Sequence, residues 1–478
     1  MTNAKPSRQY LEQHSAKLED FFVTRRQFLN RFGMGFGALS LAHLLADDLV
    51  YNADAAPTSL SPLSPKKPHF PAKAKQVIHI FAQGAPSHVD TWDPKPALSK
   101  YDEQPLPGMN GVAMGSPFTF KKQGKAGIEV SEVFPQLGEQ VDNMTIIRSM
   151  HTNIPAHEVA TVMMNTGSLR LVKPSLGSWV VYGLGSENQN MPGFISLRPG
   201  GNPPGGSQNW QSAFLPGVFQ GTSINTRAAS VEQMIENIKN PFTTQVAQRK
   251  ELDLVHKLNA IHSQNMQKDA QLEARLEAFE MAYKMQIEAT DAFDLNREPQ
   301  ATRDMYGATE QGRQLLIARR LLERGVRFVQ VWAGGWDHHQ NLEDSLRARA
   351  TAIDQPFAAL IKDLKQRGML DSTLIMWGGE FGRTVTRDRN GNAEPGRDHN
   401  NRAFSTVLAG GGVKGGFVYG ATDEFGAAAV ENKVHIHDLH ATVLGLLGFD
   451  HTKLTYRYNG RDFRLTDNFG NVVKDIIA

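Results

Sequence analysis

From Leu315 onward the chain repeats one unit: an apolar pattern of helical period, a glycine, then a short apolar run. Leu315, Leu316, Ala318, Arg319 and Leu322 belong to one helix, Gly325 ends it, and residues 326–332 have the composition of a buried strand. Ile353, Phe357, Leu360, Ile361 and Leu364 recur at helical spacing up to Gly368, and a strand over 372–377 follows. Residues 404–409 form another strand, stopped by Gly410-Gly411-Gly412. Upstream, 76–81 and 144–148 are short apolar runs of the same type. Helices that feed strands through such short connections imply parallel pairing. The unit therefore predicts an α/β fold, a mostly parallel central sheet with helices on both faces.

Composition is consistent with that fold and closes other routes. Of 478 residues, 40% are hydrophobic, enough for a large core. Lys and Arg number 51 against 49 Asp and Glu, a net charge of +2 that excludes bulk nucleic-acid binding. Cysteine is absent, so a disulfide, a thiolate metal site and a cysteine nucleophile are all excluded. Between Glu232 and Asp294, Leu272, Leu276, Phe279 and Tyr283 keep a helical period amid many charges, which predicts a helical insertion, or cap, over about 228–300. The Gly/Pro run 199–206 is a loop.

The first 55 residues read as an address. Thr24-Arg25-Arg26-Gln27-Phe28-Leu29 is a twin-arginine pair followed by large apolar residues, and Ala53-Asp54-Ala55 supplies a small-x-small cleavage pattern. The apolar stretch Gly33 to Leu45 spans roughly 20 Å as a helix, short of a bilayer core of about 30 Å. The expectation is a Tat signal over 1–55, a Pro/Ser/Lys-rich tether over 56–75, and one catalytic or binding domain over 76–478. The partner implied is the Tat translocase, the destination periplasmic or extracellular. No stable membrane span is expected elsewhere.

Ligands of open α/β sheets bind beyond the carboxyl ends of the strands. Polar clusters stand at those positions: Ser87, His88, Asp90 and Asp93 after the first strand, and Trp336-Asp337-His338-His339 after 326–332. Glu380 and Arg383 follow 372–377, and Arg397-Asp398-His399 precedes 404–409. Asp, Glu and His without thiols are the donor set of a divalent metal. Zn²⁺ heads the candidates, with Mn²⁺, Mg²⁺ or Ca²⁺ possible. Arg383 and Arg397 are planar cations suited to holding an oxyanion. Three motifs fail on inspection. His157-Glu158 lacks the second histidine of a zincin because Thr161 stands there; Gly410–Gly416 has no Ser or Thr after its lysine; and Gly84-Ala85-Pro86-Ser87 has the wrong spacing for a nucleophile elbow.

The order of these blocks resembles the alkaline phosphatase/sulfatase superfamily. Gly368-Met369-Leu370-Asp371-Ser372-Thr373, the turn after Val407, and Asp438 to Gly448 carry that likeness. More narrowly, the chain resembles a family of exported bacterial proteins known as domain of unknown function 1501. That likeness rests on Gly84–Thr91, Gly335–His339, Gly379–Thr384, Gly396–His399 and Leu454–Asp462. The resemblance implies an alkaline-phosphatase-like sheet and metal ligands at Asp337, His339 and His399. It places Glu380 and Phe381 where a second Asp-His pair stands, and gives Asp90 or His88 the position after the first strand. The superfamily nucleophile lies ten residues before the Gly of a Thr-Gly pair. Here, counting back from Gly167 gives His157, whose open roles are ligand, general base or phosphate-accepting nucleophile.

The function expected is a metal-dependent hydrolase of phosphate or sulfate esters, with His157 or His88 taking a proton. Its ligand would be a small-molecule or polysaccharide ester. The alternative is a non-catalytic protein that uses the same cleft to hold an anionic or polysaccharide ligand.

Overall fold

A computed structural model describes residues 62–169, 171–188, 190–228, 231–234, 244–265, 283–284, 291–388 and 394–478. They belong, Thr244 apart, to one compact unit built from Thr58–Ile238 and Gln245–Ala478. The twin-arginine segment lies outside the described residues, as does most of the helical insertion. What is described of the insertion includes the helix Gln245–Asn265, called α3 below.

Among the described residues, nine strands form the central sheet. In chain order they are β1 (Gln76–Phe81), β2 (Met144–His151), β3 (Phe194–Arg198), β4 (Thr222–Asn225), β5 (Phe328–Trp332), β6 (Thr373–Gly378), β9 (Phe404–Ala409), β10 (Phe417–Tyr419) and β11 (Val434–His435). The labels β7 (Gly382–Arg387) and β8 (Arg397–Asn400) denote a separate two-stranded antiparallel ribbon. Spatial order across the sheet is β10-β2-β9-β6-β1-β5-β3-β4, with β11 also paired to β2. All neighbours pair in parallel except at β9, which is antiparallel to both β2 and β6. The reversal has a simple cause. Among the described residues no crossover helix separates β6 from β9, so the chain re-enters the sheet from the edge it left.

All six residues of β1 are buried, as a central parallel strand requires. Its side chains alternate between two cores. Ile78 and Ile80 pack in the layer with α4 (Glu310–Glu323) and α5 (Leu342–Gln366). Val77 and Phe81 pack in the layer with α2 (Leu176–Leu184) and α6 (Ile436–Leu446). Helices thus cover both faces.

Helix α5 begins at Leu342, well before the apolar repeat at Ile353, and runs through Pro356. Proline offers no N–H to the carbonyl one turn back. That carbonyl, Ala352 O, instead accepts a hydrogen bond from the Thr309 hydroxyl at 3.1 Å. Thr309 also caps α4, its Oγ1 accepting from Gly312 N at 3.0 Å. One side chain therefore repairs α5 and starts α4. Among the described residues, no helix is long and apolar enough to cross a membrane.

Two histidines are sealed in the α2/α6 layer. His79 lies between the rings of Phe81 and Phe328, at centroid distances of 5.5 and 6.4 Å. His440 donates from Nε2 to Met164 O at 2.7 Å. Burial lowers His79 to about 4; burial, helped by neighbouring imidazoles, lowers His440 to about 3. Unfolded imidazoles titrate near 6.5, so between that value and about 4 the unfolded chain binds protons that the fold refuses. Stability is fully present above pH 6.5 and falls as pH drops, by about 1.4 kcal/mol per pH unit for each histidine. Urea unfolding between pH 4.5 and 7 should show that decline, and His440→Gln should flatten it.

Candidate metal centre

The carboxyl ends of β1, β2, β5 and β6 and the start of β9 all open on one edge. β5 runs into residues 333–339, fixed early by Trp336, whose buried indole donates to Ala333 O at 2.8 Å. β2 leads through 152–156 to α1 (His157–Thr166), which places His157 on the first helical residue. The β7–β8 ribbon sets His399 opposite Arg383. Its base is stitched to the β5 loop, since Arg397 N donates to His338 O at 3.0 Å. Gly396 permits that approach: a Cβ there would lie 2.2 Å from the His339 carbonyl carbon.

Four side chains converge at this edge: His157, Asp337, His339 and His399. Asp337 Oδ1 lies 3.2 Å from His157 Nε2, 3.0 Å from His339 Nε2 and 3.4 Å from His399 Nε2. His339 Nε2 and His399 Nε2 are 3.0 Å apart. A zinc ion with bonds near 2.0–2.1 Å gives a tetrahedron with edges of about 3.3 Å, and these separations bracket that value.

The outer nitrogens decide what the inner ones can do. His399 Nδ1 faces Pro155 O at 2.9 Å, so it must carry the proton and donate. His339 Nδ1 faces Asp388 Oδ2 at 2.6 Å, and His157 Nδ1 faces Glu380 Oε1 at 2.6 Å. Neutral imidazoles fixed this way all turn an Nε2 lone pair inward. Two such lone pairs cannot face each other at 3.0 Å without a positive charge between them. His157 Nε2 is also buried with no well-aligned hydrogen-bond partner. This donor set fits a cation: three imidazoles and one carboxylate, each imidazole held from outside.

Electrostatics agree. Burial works against a charged His157, but Asp337 and Glu380 outweigh it and raise this histidine to about 9. Burial alone would raise Asp337, yet the imidazoles of His157 and His399 and the guanidinium of Arg383 around it hold it far below the usual carboxylate range. The proton that His157 carries at neutral pH competes with any cation for Nε2.

The other candidates stand elsewhere. Glu380 does not join the convergent atoms. It is fully buried behind His157, accepting from Gly84 N at 3.0 and 3.3 Å and orienting the ring. Phe381, also buried, packs against the His157 and His399 rings at 4.9 and 4.8 Å. Asp90 is paired with Arg397, which donates at 2.7 and 3.0 Å from a fully buried guanidinium. Neither residue is left to grip a metal or an oxyanion. Arg383 is likewise engaged in every direction: Nε donates to Ala85 O at 3.0 Å, Nη1 to Arg397 O at 3.1 Å, and Nη2 to Gly84 O and Asp337. It pins Asp337 rather than offering an open fork. His88 is buried, with Nε2 bonded to Gly426 O at 2.7 Å, and cannot serve as a base at this edge. His338 turns back to Gly335 O at 2.9 Å.

Asp388 escaped the sequence reading, and Gly84 entered it only as part of a motif, without its role of holding Glu380. Asp388 lies directly after β7 with no motif around it, and only the ribbon brings it to His339. Gly84 has φ +107°, and a Cβ there would sit 2.6 Å from Asp337 N. Its signal was the Gln83-Gly84 turn after β1, which suggests a close approach without saying to what.

One divalent cation per chain is expected, tested with zinc, with a proton released on binding. Apparent affinity should rise with pH towards about 9, because the proton on His157 must leave. Calorimetry in buffers of different ionisation heat measures this. Glu380→Gln should keep the stoichiometry while losing affinity about 10–100-fold, and His399→Ala should abolish tight binding. A wild-type chain that takes up no zinc would overturn the assignment.

Several solved structures are remotely similar. They include Ps i-CgsB in complex with k-i-k-neocarrahexaose, at 11% identity over 78% of this chain and 72% of that one, with a TM-score of 0.35. The PsFucS1 sulfatase from Pseudoalteromonas sp. is 12% identical over 79% and 68%, with a TM-score of 0.34. Alkaline phosphatase from the Antarctic bacterium TAB5 is 10% identical over 73% and 94%, with a TM-score of 0.30. No curated protein matches the chain. Residues 74–477 match the family model described as protein of unknown function (DUF1501), and the chain belongs to that family.

Proposed function

We propose that this chain is an exported, metal-dependent hydrolase of phosphate or sulfate esters. The observation that carries the reading is the convergence of His157, Asp337, His339 and His399 at the carboxyl edge of a mostly parallel sheet. Three imidazoles and one carboxylate favour zinc over the harder magnesium and calcium. A divalent cation held there supplies polarisation of an ester oxygen and lowers the pKa of a coordinated water towards about 7.

The chain's own residues do the positioning. Glu380, Asp388 and Pro155 O fix the three rings, and Arg383 fixes Asp337. Asp337 is 44% exposed, so an ester can approach from solvent. Neither nitrogen of His157 is free to act as a base once Nε2 holds the cation, and His88 is buried with Nε2 bonded to Gly426 O. The chain has no cysteine, and His157 is taken up as a ligand, so water is the acceptor in this proposal, without an ester to the protein.

A second reading draws on the same geometry. Four protein donors can close a tetrahedral site, and closed sites are structural. In that case the chain binds an anionic or polysaccharide ligand without turnover. Zinc-loaded protein assayed on aryl phosphates, phosphodiesters and sulfate esters separates the two. Turnover, lost about 10³-fold or more in Asp337→Ala, is the expected result, with no burst phase and no transfer to added alcohols. Stoichiometric zinc with no turnover on any of the three classes favours the second reading. Export is supported by the twin arginines Arg25 and Arg26, the apolar stretch behind them and the pattern Ala53-Asp54-Ala55; changing both arginines to Lys should hold the full chain in the cytoplasm, as cell fractionation would show.

A further inference from the structure

A cavity of about 360 Å³ lies beside the amino end of α6, lined by His435, His437, Asp438, Asn468, Phe469 and Asn471 among others. Its most unusual feature is Phe469, a large apolar ring left 62% exposed. One face of that ring is backed by the His437 imidazole, with centroids 5.1 Å apart and planes 20° from parallel. The other face is open. A single exposed phenylalanine needs no explanation, but one set at the mouth of a polar cavity is an amphipathic platform.

The polar wall has a definite character. The Asp438 carboxylate is held by His435 N at 2.9 Å and by Asn471 N at 2.7 Å, so the helix start already has its own anion. Nearby Lys173 is paired with Asp467 at 2.7 Å. Burial and neighbouring imidazoles keep His435 neutral at about 4; burial also lowers His437. What the cavity offers, therefore, is amide and carboxylate groups that exchange hydrogen bonds with hydroxyls, beside an apolar ring. It offers no cation for a phosphate or sulfate.

We propose that this cavity binds a neutral sugar unit of a glycan, whose C–H face stacks on Phe469 while its hydroxyls meet Asp438, Asn468 and Asn471. Pyranose rings have that division of surface; nucleotides and inorganic anions do not. The site adjoins the metal centre through one loop. His435 Nε2 donates to Asn153 Oδ1 at 2.9 Å, and two residues on, Pro155 O holds His399. A polymer carrying an ester could engage both, but sugar binding does not rest on the hydrolase reading.

The test uses the full chain stripped of metal with EDTA, titrated with neutral hexasaccharides from agarose, cellulose and mannan. Saturation-transfer NMR and calorimetry give the readout. One of these is expected to bind with Kd of about 10⁻⁴ M. Phe469→Ala should weaken binding about tenfold or more, Phe469→Tyr should keep it, and Asp337→Ala should leave it unchanged. No binding by any of the three up to about 10 mM, or an unchanged Kd in Phe469→Ala, overturns the proposal. So does displacement of the sugar by inorganic phosphate or sulfate, which would make the cavity an anion site. A chain that binds sugar but hydrolyses no ester would keep this inference and defeat the preceding one.

Discussion

The site depends on three hydrogen bonds that point away from it. Each imidazole of the cluster gives its outer Nδ1 to a fixed acceptor: Glu380, Asp388 or Pro155 O. An imidazole free to rotate or to change tautomer offers a cation nothing reliable. Fixed from outside, three rings must present Nε2 lone pairs to the same small volume. The acceptors come from the end of β6, from the end of β7 and from the β2–α1 loop, so the cluster requires most of the sheet edge to be in place.

Arg383 ties those pieces together. Its buried guanidinium bonds the β1 turn at Gly84 and Ala85, the β5 loop at Asp337 and the ribbon at Arg397. Leaving any of these acceptors bare in the interior would cost more than an exposed hydrogen bond returns. Arg397 does the same deeper in the fold, with its bidentate Asp90 pair fully buried. Removing either partner of such a pair costs about 3–5 kcal/mol. The two arginines thus serve the site by holding loops, which explains why they are buried among carbonyls rather than turned to solvent.

The sequence made some of this legible, and the boundary has physical causes. Glycine-punctuated helices and apolar runs reveal strands and helices because period and termination are local properties. The direction of β9 is not local: it depends on what the chain omits between β6 and β9. The apolar repeat that begins at Ile353 did not reveal the start of α5 at Leu342, and the helix passes through Pro356 with a repair by Thr309 that comes from another helix. Asp337, His339 and His399 could be read as strand-end residues of ligating type. Glu380 looked equivalent, yet it follows β6 by only two residues and stays inside, where its carboxylate orients the His157 ring and does not join the convergent atoms. Residue type says what a side chain can donate or accept; only its depth separates a ligand from the group that holds one. His157 came from counting along a resemblance, and Asp388 from nothing in its surroundings.

Depth also bears on how the cluster and the neighbouring cavity relate. The 152–156 loop is anchored at its start: Thr152 N donates to Asn401 O at 2.8 Å, and Asn401 Nδ2 returns to Thr152 O at 3.0 Å. Between those bonds and His157 the loop gives Asn153 to His435 on one side and Pro155 O to His399 on the other. Only Ile154 separates the two contacts, so the wall of the cavity and one imidazole of the cluster are both held by the same short loop.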